Sequence, residues 1–122
     1  MNARLRILIV EDQSDLRMLI RLALEPLDAE IREATNGMEA LHTVRNFKPN
    51  VVILDVMLPG ELDGYQICQA IKHDLLTCSA KIIIVSARGQ KADIDKGYES
   101  GADCYLVKPF SPLELLKEAA DG

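Results

Sequence analysis

"VVILDVMLPGELDG", residues 51–64, decides how the rest of the chain is read. Val51–Leu54 form an unbroken apolar run, mostly β-branched and too short for a helix. Such a run is a strand buried on both faces. It leads straight into Asp55, a carboxylate that prefers water, and within a few residues into the tight-turn pair Pro59-Gly60. A buried strand that ends on a carboxylate points to a sheet whose carboxyl edge does chemistry.

Four more short runs lie on either side: Leu5–Val10, Glu30–Ala34 (the weakest), Ile82–Val85 and Tyr105–Val107. The segments between them have helical spacing. Leu16, Leu19, Ile20, Ala23 and Leu24 fall on one predicted helix face, which Glu25-Pro26 should end, because the residue before proline is disfavoured in the α region. Asn36 is a good N-cap with Glu39 three residues on, and that helix should bury Ala40, Leu41 and Val44. A third helix is expected from about Tyr65 to His73, using Ile67, Cys68 and Ile71. A fourth, poorly patterned, spans about Ala92 to Glu99 with Ile94 and Tyr98 as its apolar pair. The last has the strongest start signal: Ser111 caps, Pro112 takes the first helical position and Glu114 closes a capping box. Strand–helix alternation repeated five times predicts an α/β domain, with a parallel sheet covered by helices on both faces.

Composition narrows the class. With 122 residues and 48% apolar content, the chain is expected to be one domain, 1–122, with an aliphatic core and no Trp. A net charge of -5 argues against a nucleic-acid surface. Cys68, Cys78 and Cys104 match no zinc-ligand spacing and read as reduced thiols, and "MNARLRILIVED" has only a short apolar run that ends in acids. A cytoplasmic chain with no signal peptide or membrane span is the expectation.

In doubly wound sheets, ligands bind beyond the carboxyl ends of the strands. There the sequence places Glu11 and Asp12 after the first strand and Asp55 after the third. Ser86 and Ala87 follow the fourth, and Lys108-Pro109 the fifth. Each alone is an ordinary loop residue; their joint placement is what suggests a shared site. Three close carboxylates suit a hard cation such as Mg²⁺, and an aspartate oxygen can attack phosphorus to give an acyl phosphate. A hydroxyl and an ammonium opposite could hold the phosphoryl oxygens. "VEDQSD" has no glycine, which excludes a dinucleotide fingerprint or a Walker loop. A small Mg²⁺-dependent aspartyl-phosphate phosphohydrolase is the alternative. It lacks an acid-base group, since Met57 stands two places after Asp55.

Taken together, "ILIVED", "VVILDVMLPG", "IIIVSARG" and "GADCYLVKPFSPLELL" resemble the receiver domains of two-component response regulators over essentially the whole chain. The resemblance implies a three-layer, flavodoxin-like (βα)5 fold, like that of the chemotaxis regulators, with strand order 2-1-3-4-5. It implies that Asp55 accepts a phosphoryl group from the phosphohistidine of a sensor histidine kinase or a phosphotransfer protein. The domain would not be a turnover enzyme. Mg²⁺ would be bound by Asp12, Asp55 and the Met57 backbone carbonyl, with Glu11 holding it through water. Ser86, the Ala87 N–H and Lys108 would contact the phosphoryl group. Tyr105 would switch inward together with Ser86, and the Lys108–Pro109 bond would be cis. The output would be a change in the face made by the fourth helix, fifth strand and fifth helix, which is also the surface of a possible homodimer. No membrane and no direct nucleic-acid contact are implied.

Three departures from that family stand out. Three residues rather than about two separate Pro59 from Asp63-Gly64. Met57 and Arg88 flank the approach of an attacking water, which predicts a long-lived acyl phosphate. Ile94 and Cys104 stand where the winged-helix regulators usually carry a base and an acid, which would undermine an ion-paired dimer.

Overall fold

The computed structural model describes residues 4–121. Strands β1 (Arg6–Val10), β2 (Glu30–Ala34), β3 (Val51–Leu54), β4 (Lys81–Ser86) and β5 (Cys104–Val107) alternate with helices. These are α1 (Ser14–Leu24), α2 (Gly37–Phe47), α3 (Gly64–His73), α4 (Lys91–Glu99) and α5 (Pro112–Ala120). All strand pairs are parallel, in the order β2-β1-β3-β4-β5, as the resemblance implied.

Side chains along a strand alternate between faces, and here the two faces feed two cores. Leu8, Val10, Val52, Leu54, Ile82 and Ile84 face α2 and α3, where they meet Ala40, Val44, Ile67 and Ile71. Ile7, Ile9, Val51, Ile53, Ile83 and Val85 face α1 and α5, where they meet Ile20, Leu24, Leu115 and Ala119. The three central strands are buried throughout, apart from their first residues Arg6 and Lys81. Each fully buried Ile or Leu contributes roughly 1.5–3 kcal/mol of transfer free energy, so this aliphatic sheet is the main source of stability.

The starts of α2 and α5 follow the sequence, although at α5 the Glu114 side chain does not return the bond that would complete a capping box. Asn36 accepts from the Glu39 N–H, and Ser111 accepts from the Glu114 N–H. The Glu39 carboxylate reaches the Thr35 N–H, one residue earlier than a strict capping box. The strongest cap lies at α3, where Asp63 and Gln66 satisfy each other's backbone N–H groups. In the sequence these residues look only like a turn.

Several expectations are corrected. Leu19 is exposed; α1 buries Ile20 and Leu24, with Leu16 and Ala23 partly covered. The α-helix does end at Leu24, where Glu25-Pro26 placed it, but Glu25 keeps α geometry, and the chain continues through a 3₁₀ turn, Glu25–Leu27, until Asp28 turns left-handed. The preference against α before proline is modest, and packing of Leu27 on the α1/α5 core outweighs it. Leu41 is only partly buried, and Tyr98 is exposed. Ser86 is the last residue of β4 rather than the first of the loop. Ile94 and Cys104 are partly buried, packed against the α2/α3 and α1/α5 cores respectively. Neither side chain offers a charge for an ion pair, and each instead adds apolar contact to its core.

The extra residue before Asp63 is absorbed without disturbing the core. Gly60 adopts φ 97°, which favours glycine, and Glu61 is exposed at the turn. Leu62 turns back onto the α2/α3 core beside Gly37, whose missing Cβ would lie 3.0 Å from that of Leu62.

Candidate functional site

Glu11 and Asp12 follow β1, and Asp55 follows β3, its neighbour in the sheet. The backbone holds them in register: the Asp55 N–H donates to Val10 O at 3.1 Å and the Glu11 N–H donates to Ala34 O at 3.0 Å. One carboxylate oxygen from each of Glu11, Asp12 and Asp55 falls within a cluster 4.8 Å across. Asp12 is exposed, whereas Glu11 and Asp55 are 2% and 7% exposed, so two of the three acids are held away from bulk water.

Lys108, immediately after β5, spans the gap. Its Nζ donates to Asp55 Oδ2 at 3.2 Å and to Glu11 Oε1 at 3.3 Å. The Lys108–Pro109 bond is cis. Asp55 Oδ1 also accepts the Met57 N–H at 3.3 Å, and Glu11 Oε2 accepts the Gln13 N–H at 3.2 Å. These contacts do not fully offset the cost of two buried acids. Burial first, and the nearby Asp55 second, push the Glu11 carboxyl up to about 7, against the opposing pull of Gln13 and Lys108. The raised Glu11 carboxyl marks a cluster that is short of positive charge. Three oxygen donors facing one point, one of them open to solvent, suit a hard divalent cation that keeps some of its waters.

Ser86 ends β4, the strand next to β3, and is fully buried. Its hydroxyl accepts the Arg88 N–H at 3.1 Å, and no hydrogen bond joins it to Asp55 among the described residues. Ala87 is exposed at the same edge. Tyr105 lies inward, 8% exposed, and its hydroxyl donates to Arg88 O at 2.7 Å. Glu11 and Asp55 are thus bridged by Lys108, with an Asp12 oxygen within 4.8 Å of the other two carboxylates. Ser86, Ala87 and Tyr105 stand on the neighbouring β4–β5 side, linked to each other through Arg88. The Met57 side chain is exposed and presents no group able to transfer a proton.

Several supporting residues were not singled out from the sequence. Arg17 donates to Glu11 O at 2.8 Å and to the Glu33 carboxylate, which Arg21 also contacts, so α1 braces the loop that carries the acids. Gly64 brings the start of α3 against the Asp55 loop. Its N–H donates to Val56 O at 2.8 Å, and a Cβ there would lie 2.2 Å from Asp55 O. The D-G pair was the available signal for Gly64. Nothing local marks Arg17, whose partners lie just after β1 and on β2.

Residues 7–120 match the family model for the response regulator receiver domain. A probable transcriptional regulator, ycf27, of Pyropia yezoensis is 41% identical over 114 residues, which are 93% of this chain and 45% of that protein. The chain spans about half the length of the curated relatives it matches. A crystal structure of a putative response regulator from Chloroflexus aurantiacus superposes with a TM-score of 0.91 at 34% identity, covering 98% of this chain and 97% of the other. The BeF3-activated DrrB receiver domain superposes with a TM-score of 0.85 at 30% identity, again covering 98% and 97%.

Proposed function

The chain belongs to the response regulator receiver family, and we propose that residues 1–122 form a single receiver domain in which Asp55 is the phosphoacceptor. The observation that carries this reading is the position of Asp55: nearly buried, beside two other acids and within 3.2 Å of the Lys108 ammonium. An Asp55 oxygen attacks the phosphorus of a histidine-bound phosphoryl group. The new P–O bond forms as the P–N bond breaks, and its electron pair stays with the imidazole. The donor is a sensor histidine kinase or a phosphotransfer protein.

Mg²⁺ suits the acid cluster. Asp12, Asp55 and the Met57 carbonyl would hold it, with Glu11 acting through water, and it would neutralise charge at the phosphoryl oxygens. The chain's own residues do the rest. Lys108 is already paired with Asp55 and can shift to a phosphoryl oxygen without crossing the site. The Ser86 hydroxyl, which now only accepts, still has its proton to donate, and the Ala87 N–H is at the exposed edge. The added group carries nearly two negative charges and three acceptor oxygens. Its pull on Ser86 and Lys108 acts on the loops leading into α4 and α5.

No side chain two places after Asp55 can relay a proton, which favours a single-use acceptor with a long-lived acyl phosphate over a phosphohydrolase. The relatives described as transcriptional regulators make a gene-regulatory output the leading reading for the whole protein. The α4-β5-α5 face would be its readout and a possible homodimer surface. The domain itself is proposed to be cytoplasmic; no helix among the described residues is long and apolar enough to cross a membrane.

A small-molecule phosphodonor with Mg²⁺ tests the reading. One acid-stable, hydroxylamine-sensitive phosphoryl group per chain, absent in Asp55→Asn, is expected. Sustained phosphate release over many turnovers would instead support the hydrolase.

A further inference from the structure

We propose that Tyr65 is a latch on α4, tying the first turn of that helix to the loop that carries Asp55. The need for a latch follows from how little else holds α4. Gly97 is its only buried residue, and Ile94 is only partly covered. A helix with so small an apolar seat depends on polar contacts to fix its position. Two buried phenols supply them. The Tyr65 hydroxyl, from α3, donates to Asp93 O at 3.1 Å. The Tyr105 hydroxyl, from β5, donates to Arg88 O at 2.7 Å. Each tyrosine hydroxyl therefore holds one backbone carbonyl at the start of α4 or in the loop just before it.

Tyr65 is itself fixed to the acceptor loop. The preceding residue, Gly64, is packed so closely on Asp55 and Val56 that no Cβ fits, and its N–H bonds Val56 O. The reciprocal Asp63–Gln66 cap locks the first turn of α3 in the same place. Tyr65 is 4% exposed, its phenol is pushed to a higher pKa chiefly by burial, and the Lys96 ammonium of α4 sits 4.8 Å from its ring centroid. A continuous set of contacts thus runs from the Asp55 backbone through Gly64 and the Tyr65 hydroxyl to Asp93, independent of Ser86 and Lys108. A core phenylalanine would fill the same space but could not make the last link.

The functional consequence rests on Asp55 being the acceptor. If the latch joins the two places, a ligand on Asp55 and the position of α4 must influence each other by the same factor. Tyr65→Phe keeps the ring and removes only the hydrogen bond. In the ligand-free protein, the amides of residues 94 to 98 are expected to exchange about 2- to 10-fold faster, with those of α2 and α5 unchanged. Beryllofluoride with Mg²⁺, a phosphoryl mimic, should bind the variant with an affinity changed about 2- to 10-fold, because the latch biases α4 towards one of its positions. Unchanged exchange in α4, or a uniform loss of protection across the domain, would overturn the latch, as would unchanged beryllofluoride affinity. Failure of the wild type to bind beryllofluoride would count against the Asp55 reading. The ligand-free exchange would still decide the latch.

Discussion

Helices α3 and α4 are neighbours of similar length that are held in opposite ways. α3 buries Gly64, Tyr65, Ile67, Cys68 and Ile71 and lies against the Asp55 backbone. α4 buries only Gly97, and two tyrosine hydroxyls hold the carbonyls at and just before its start. The difference separates a part that must not move from a part that can. The acids are useful only if their spacing is kept, so their side of the molecule is built on dense packing. A readout helix needs alternative positions separated by a small free energy, and a few hydrogen bonds of about 1 kcal/mol each provide that.

The comparison can be broken most severely at the acceptor. Asp55→Asn is expected to abolish phosphoryl labelling outright, measured by intact mass after treatment with a phosphodonor. Amide exchange in ligand-free α4 should stay the same, because no hydrogen bond between an α4 residue and the Asp55 side chain is present. A faster-exchanging α4 in this variant would mean that the two regions are less separate than their packing implies.

Gly64→Ala attacks the rigid side. The added Cβ would meet Asp55 O at 2.2 Å and Val56 Cα at 2.6 Å, and neither backbone atom can move away cheaply. A loss of about 2–4 kcal/mol in urea unfolding is expected, together with weakened Mg²⁺ binding. Gly97→Ala makes the matching change in α4. Its Cβ would lie 2.5 Å from the Tyr105 ring, which moves aside only by giving up its bond to Arg88 O, but alanine favours helix by about 1 kcal/mol. The net stability change should stay within about 1.5 kcal/mol. The Tyr105 ring resonances, followed by NMR, should shift towards an exposed environment. A change as large as that of Gly64→Ala would show that α4 is as rigidly seated as α3.

The smallest effect concerns the brace behind the acids. Arg21 first, with Arg17, holds the Glu33 carboxyl below its ordinary range. A depressed carboxyl contributes stability above its unfolded pKa and loses it as pH falls through the folded value. Wild type should therefore lose this contribution on acidification below about pH 4.5, and Glu33→Gln should lack that part of the acid transition. The pair is partly exposed, so the difference at neutral pH is expected to be under about 1 kcal/mol. Thermal melts between neutral and acid pH, with and without the substitution, would measure it.

Much of the site could be read from the chain because its residues directly follow strands or end one. Strand periodicity placed Glu11, Asp12, Asp55, Ser86 and Lys108 at one sheet edge, and the structure clusters the three acids there with Lys108 bridging two of them. Supports that join distant segments could not be read this way. Arg17, Tyr65 and Gly97 look like an ordinary charged, aromatic and small residue within helices. Their roles depend on a carbonyl, a helix start and a ring from other elements. Leu19 and Tyr98 erred in the other direction: apolar spacing put them on buried faces, but no neighbouring element covers them.

By itself, the sequence determined the order of the elements, the parallel sheet, the caps of α2 and α5 and the chemistry available at the end of each strand. These follow from local periodicity and from residue type. Only the tertiary structure decided which acids became buried, how far Glu11 is pushed towards neutrality, and how each helix is held to the sheet. Those properties depend on distance and desolvation between segments that the chain brings together only when it folds.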